Sequence, residues 1–165
     1  MLHARKNATY MRNFVFGVED SLASTAGLLA GVVAAGIVGE TVIVAGVILI
    51  FVEAFSMGIG SLLSDNAARE YVRGQESSYD SSAIGAMVMF ASYLVAGFIP
   101  LAPYVWLSVR SAFPLSIALS LLTLFLLGAI GARLSGTRIL RNAIRMLLIG
   151  GIAVMVGVIV GLFVQ

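Results

Sequence analysis

Cysteine is absent from the 165 residues, and histidine occurs once, as His3 ahead of the first apolar run. Disulfides, thiolate metal sites, haem ligation by a buried histidine and most nucleophilic dyads are thereby excluded. Charge is scarce too. Only 11% of the residues are charged against 60% hydrophobic, a balance that marks a polytopic membrane protein rather than a water-soluble domain. Of the three prolines, Pro100 and Pro103 fall near the end of an apolar run. There the backbone hydrogen bonds they forfeit can be met by water or neighbouring groups, so a bent helix end is expected. The net charge of +2 and pI near 9.3 do not point to nucleic acid, because the basic residues gather at the ends of the apolar runs.

Crossing the hydrocarbon takes about 20 apolar residues at about 1.5 Å each. Five stretches are long enough: 14–38, 41–64, 84–106, 114–133 and 145–164. The expected fold is all-α, a single membrane domain over 1–165 with five transmembrane helices. The first stretch is too long and too acidic for a signal peptide and lacks a small-residue cleavage site after a short core, so it reads as an uncleaved span. Gly39 and Glu40 leave so short a connection that spans one and two form an antiparallel hairpin. The one sizeable loop is the polar stretch 65–83, short and cytoplasmic, whose Asp65, Glu70, Glu76 and Asp80 read as a solvated face. A cytoplasmic N-terminus puts Arg5, Lys6, Arg12, Arg69, Arg73, Arg133, Arg138, Arg141 and Arg145 inside and leaves Arg110 alone outside, as the positive-inside bias requires. The C-terminus at Gln165 then lies outside. Small residues spaced by four predict close helix contacts: Gly27 and Gly31 in span one, Ser56, Gly60 and Ser64 in span two, Gly157 and Gly161 in span five.

Two spans carry acids. Asp20 sits beside Glu19 a few residues into the first, and Glu53 lies inside the second. A carboxylate in hydrocarbon costs several kcal/mol unless it faces a bundle interior, a partner or a water-filled path. Counting from the span ends places Asp20 roughly 9 Å deep and Glu53 roughly 18 Å deep, with Met57 near the level of Asp20. Glu53, Met57 and Ser61 share one helix face at four-residue spacing, as do Asp20 and Ser24. If these faces meet, carboxylate, thioether and hydroxyl groups line one ladder. Oxygen ligands suit first-row divalent ions, and a thioether softens the site toward Fe²⁺ and away from Mg²⁺ and Ca²⁺. The candidate metal ligands are thus Asp20, Glu53 and Met57, with Glu19, Ser24 and Ser61 behind them. Alternatively, Glu19 and Asp20 cap a span that begins near Leu22, Glu53 neutralises a basic side chain, and Met57 only packs. Asp65-Asn66-Ala67-Ala68-Arg69 resembles the opening of a membrane phosphatidyltransferase motif, but the further aspartates of that motif are missing.

Gly17-Val18-Glu19-Asp20-Ser21-Leu22-Ala23-Ser24-Thr25 resembles the Gly-Ala-Asn-Asp-Gly-Leu-Val-Ser-Thr signature of the vacuolar iron transporter family, and Ser56-Met57-Gly58-Ile59-Gly60 resembles its second-helix Ser-Met-Ala-x-Gly. Pro100-Leu101-Ala102-Pro103-Tyr104 and Gly131-Ala132-Arg133-Leu134-Ser135-Gly136 are similar to the ends of its third and fourth helices. The resemblance implies five spans, a homodimer whose first helices line the path, and export of Fe²⁺ or Mn²⁺ from the cytoplasm in exchange for protons. By position, Asp20 matches the first-helix transport aspartate and Met57 the second-helix methionine. Two departures stand out. Ser61 replaces an acid usual in the family, for which Glu53 is the candidate substitute, and the long glutamate-rich cytoplasmic insert has no room in 65–83. The expectation is a transporter rather than an enzyme, with no cofactor beyond the transported ion. Its partners are the metal ion, protons, the lipid bilayer and a second copy. Its place is the cell membrane of a prokaryote or the vacuolar membrane of a eukaryote. A non-transporting membrane scaffold, or a carrier of another substrate on the same fold, remains the alternative.

Overall fold

The computed structural model of the protein describes residues 2–37, 39–75 and 79–164, with the side chains of 2–6, 73, 80 and 81 outside that description. The side chains of Arg5, Lys6, Arg73, Glu76 and Asp80, which enter the charge count and the solvated-face reading, therefore lie outside the described residues. All described elements are helices: α1 (Leu2–Ala34), α2 (Glu40–Arg73), α3 (Asp80–Trp106), α4 (Val109–Leu134) and α5 (Ile139–Val164). Each is long and apolar enough to cross a membrane.

The helices outrun the apolar stretches that announce them. α1 begins at Leu2, twelve residues before the expected 14, and α2 continues through Arg73 where the hydropathy pattern predicts a loop from 65. Hydropathy reports where lipid ends, whereas a helix persists as long as its residues favour it. Ala67 and Ala68 are strong helix formers, Arg69 Nε donates to Asp65 Oδ2 at 3.1 Å and Asn66 Nδ2 to Glu70 Oε1 at 2.9 Å, one turn on in each case. Gly74, at φ 66°, then ends the helix with its N–H on the Glu70 carbonyl. Ser82 Oγ donates to Asp65 Oδ2 at 2.9 Å and ties α3 to this extension. The α1–α2 hairpin turns through Gly36 and Gly39, at φ 81° and 76°, a backbone region that side chains disfavour. Both Pro100 and Pro103 lie inside α3, and the Pro100 carbonyl also accepts the Ser116 hydroxyl of α4 at 2.6 Å.

Among the described residues α1 touches all four other helices, while α2, α3, α4 and α5 otherwise touch only their neighbours in the chain. The bundle is thus an arc of four helices around α1, open between α2 and α5. The first half of α1 packs in parallel on α3: Asn13 faces Gly85, Gly17 faces Met89 and Ser92, and Ser21 faces Tyr93 and Gly97. Its second half packs on α5. A Cβ at Gly31 would stand 2.6 Å from the Gly157 carbonyl oxygen, and Cβ atoms at Gly157 and Gly161 would run into the carbonyls of Gly27 and Gly31. The two glycine pairs expected to make close contacts therefore meet each other within one chain. The Ser56, Gly60 and Ser64 ridge does not meet any described residue in this way, for all three are exposed and a Cβ at Gly60 has nothing within 4 Å.

Gly157→Ala must push backbone from backbone, so it should lower stability by about 1–3 kcal/mol, whereas Gly60→Ala should leave it unchanged or raise it through helix propensity. Thermal unfolding of both variants in detergent checks this. Equal melting temperatures would mean that the α1–α5 seam is not close-packed.

Candidate metal path

The register of the α1–α2 hairpin decides which site residues face each other. Asn13 Nδ2 donates to Ser61 Oγ at 2.9 Å and to the Gly85 carbonyl at 2.9 Å, and a Cβ at Gly46 would lie 3.1 Å from the Leu29 side chain. With 13 opposite 61 and 29 opposite 46, antiparallel helices rising equally per residue bring Asp20 level with Ala54 and Phe55, which leaves Glu53 within about 2 Å of its height. This revises the sequence-based depths, which set Glu53 about 9 Å deeper than Asp20, while Met57 stays within about 4 Å of the level of Asp20 on the other side. Those depths were counted from separate span ends, and α1 starts well before residue 14. Met57 lies one turn from Glu53 toward Ser61 and is partly buried.

Asp20 and Glu53 are both partly buried, and their carboxylates are close enough to act on one another electrostatically. Among the described residues neither has a basic side chain at ion-pairing distance. Both also act on the phenol of Tyr93, a fully buried α3 residue. Ser24 Oγ and Tyr93 Oη are 2.6 Å apart and share a hydrogen bond, and the Tyr93 carbonyl accepts the Ser21 hydroxyl at 2.6 Å. Asp20, Ser24, Glu53 and Tyr93 thus form one polar group among apolar helices. Tyr93 was not among the sequence candidates. Its signal is a tyrosine in the middle of a span, where a hydroxyl needs a partner.

The remaining candidates lie elsewhere. Glu19 lines a cavity of about 320 Å³ between α1, α4 and α5, where Asp20 and, more weakly, Arg145 act on it electrostatically. Ser61 is buried and occupied by Asn13, two turns from Glu53. No cluster of three or more His, Asp or Glu side chains forms among the described residues, so a single chain offers a carboxylate pair flanked by hydroxyls and a thioether. On α1, Asp20 shares a face with Ser24, Gly27, Leu28 and Gly31. The last four line a groove of about 650 Å³ in the opening between α2 and α5.

Four membrane-length helices around a polar first helix, with paired acids at nearly the same level, have the form of a membrane carrier. The VIT family model matches residues 11–82 and 74–162, and the chain belongs to that family. It is 24% identical to Vacuolar iron transporter 1 of Tulipa gesneriana over an alignment of 214 residues, covering 92% of this chain and 87% of that relative.

Asn13 holds α1, α2 and α3 together, and it is 1% exposed. Asn13→Ala should cost about 1–3 kcal/mol by stranding buried partners. Adding Ser61→Ala should cost less than the sum of the two single changes, since the second partner is already unpaired. Additive melting shifts in a double-mutant cycle would mean that the bond does not hold the hairpin register.

Proposed function

We propose that the protein is a homodimeric transporter that carries a divalent metal ion, Fe²⁺ or Mn²⁺, out of the cytoplasm in exchange for protons. The observation that carries this reading is the level pairing of Asp20 and Glu53 inside the spans, with no basic partner among the described residues. Membership of the VIT family and the printed name of the tulip relative support the metal as cargo.

Two unpaired carboxylates in a low-dielectric setting are costly, and one divalent ion offsets both charges at once. Protons neutralise the same pair on the return, which is the chemistry antiport needs. Asp20 and Glu53 are the primary ligands in this reading. Met57 supplies a thioether one turn away that favours Fe²⁺ over harder ions, while Ser24 and Tyr93 supply neutral oxygens. Glu19 and Ser61, held elsewhere, take no direct part. A pair of carboxylates is sparse for a first-row ion, and a second copy would double it. The opening between α2 and α5, where the α1 face bearing Asp20 is uncovered, is where that copy would seat. Glu53 replaces the acid that Ser61 lacks, and it does so opposite Asp20 rather than two turns away. The N-terminus lies in the cytoplasm and the C-terminus on the other side, as the arginine distribution favours.

Asp20→Asn and Glu53→Gln, which keep size and remove charge, should each abolish Fe²⁺ and Mn²⁺ flux in proteoliposomes without lowering the melting temperature or changing the detergent-solubilised size. Met57→Leu should shift preference away from Fe²⁺ more than it lowers total flux. The measurement is initial flux of each ion with a pH-sensitive dye inside the vesicles. Wild-type flux and proton movement in Glu53→Gln would overturn the pairing.

A further inference from the structure

Four of the ten basic residues fall between 133 and 145, and three of them converge on one place. The α4–α5 connection and the first two turns of α5 border an open cavity of about 730 Å³ lined by Gly136, Thr137, Arg138, Arg141, Asn142 and Arg145. Its rim is shaped rather than loose. Gly136 turns at φ 65°, and Asn142 Nδ2 donates to Thr137 Oγ1 at 2.9 Å across the connection. Among the described residues none of the three arginines is ion-paired with a carboxylate. Glu19 acts at longer range on Arg145 alone, which leaves Arg138 and Arg141 unneutralised.

A topogenic bias accounts for arginines at this end of the spans, but not for their convergence on one cavity. The surface below it is apolar and open. Arg141, Arg145, Leu148 and Ile152 share a face of α5, and Leu148 and Ile152 are both more than half exposed. Over about 10 Å that face passes from guanidinium to hydrocarbon, in the order in which a phospholipid passes from headgroup to chain. Guanidinium groups match phosphate oxygens in geometry as well as charge.

We propose that this cavity holds the phosphate of an anionic phospholipid from the adjoining leaflet, with Arg138 and Arg141 on the phosphate and an acyl chain along Leu148 and Ile152. The site is separate from the Asp20–Glu53 pair, and its occupancy is measured without metal, so its test stands apart from that of the transport reading.

The test uses the purified full-length protein in neutral detergent, titrated with dioleoyl phosphatidylglycerol, dioleoyl phosphatidylcholine or inorganic phosphate. Thermal unfolding and retained lipid in native mass spectrometry are the readouts. Phosphatidylglycerol should raise the melting temperature and stay bound, and phosphatidylcholine should do neither. Arg138→Gln with Arg141→Gln should weaken phosphatidylglycerol binding about thirtyfold, at about one kcal/mol per arginine. Arg110→Gln, at the opposite end of α4, should leave it unchanged. Equal retention of both lipids by the wild type would overturn the proposal, and that comparison holds even if the double variant does not fold. Equal weakening by Arg110→Gln would overturn it too. Stabilisation by inorganic phosphate matching that by phosphatidylglycerol would identify a soluble anion as the occupant and overturn the lipid reading.

Discussion

The least apolar of the five spans is also the most deeply packed, and the places of the other helices follow from keeping its polar side chains out of lipid. Backbone groups of a helix satisfy one another, but side-chain amides, hydroxyls and carboxylates in hydrocarbon must find protein partners. Asn13 and Ser21 find theirs on α2 and α3, and Ser24 finds the phenol of Tyr93. Thr25 is buried with its hydroxyl unpartnered among the described residues. A helix with this load is stable in a membrane only when surrounded, which is why four helices curve around it.

Asp20 and Glu19 show how finely this sorts neighbours. Adjacent residues on a helix point about 100° apart, enough to send Asp20 toward Glu53 and Tyr93 while Glu19 faces α4, α5 and Arg145. Asp20 has Glu53 across the hairpin, whereas Glu19, although Asp20 still acts on it more strongly, also has a cation within reach. Helix geometry alone thus gives the two adjacent acids different surroundings.

Apolar runs make the helix count readable from the chain, and small-residue spacing marks Gly27, Gly31, Gly157 and Gly161 as places of close contact, because both depend on local pattern; that these two pairs meet each other is a tertiary fact. Glu53 also stands out alone as a carboxylate in an apolar run. What could not be read was relative height. The level of Asp20 against Glu53 depends on the Asn13–Ser61 bond and on the length of the hairpin, and a polar residue such as Asn13 near a span end looks like an ordinary boundary residue. The end of α2 was misplaced for a related reason, since Asp65, Asn66, Arg69 and Glu70 are loop-like in hydropathy yet pair one turn apart along a helix. Glu19 could not be separated from Asp20 without knowing what flanks each side of α1.

Backbone lying directly on backbone at Gly27, Gly31, Gly157 and Gly161 leaves no side chains to slide or repack. Mechanically, that stretch of α1 and α5 is a single beam. Any relative movement within the bundle must therefore fall elsewhere than along this seam, which ties α5 to α1 as one body.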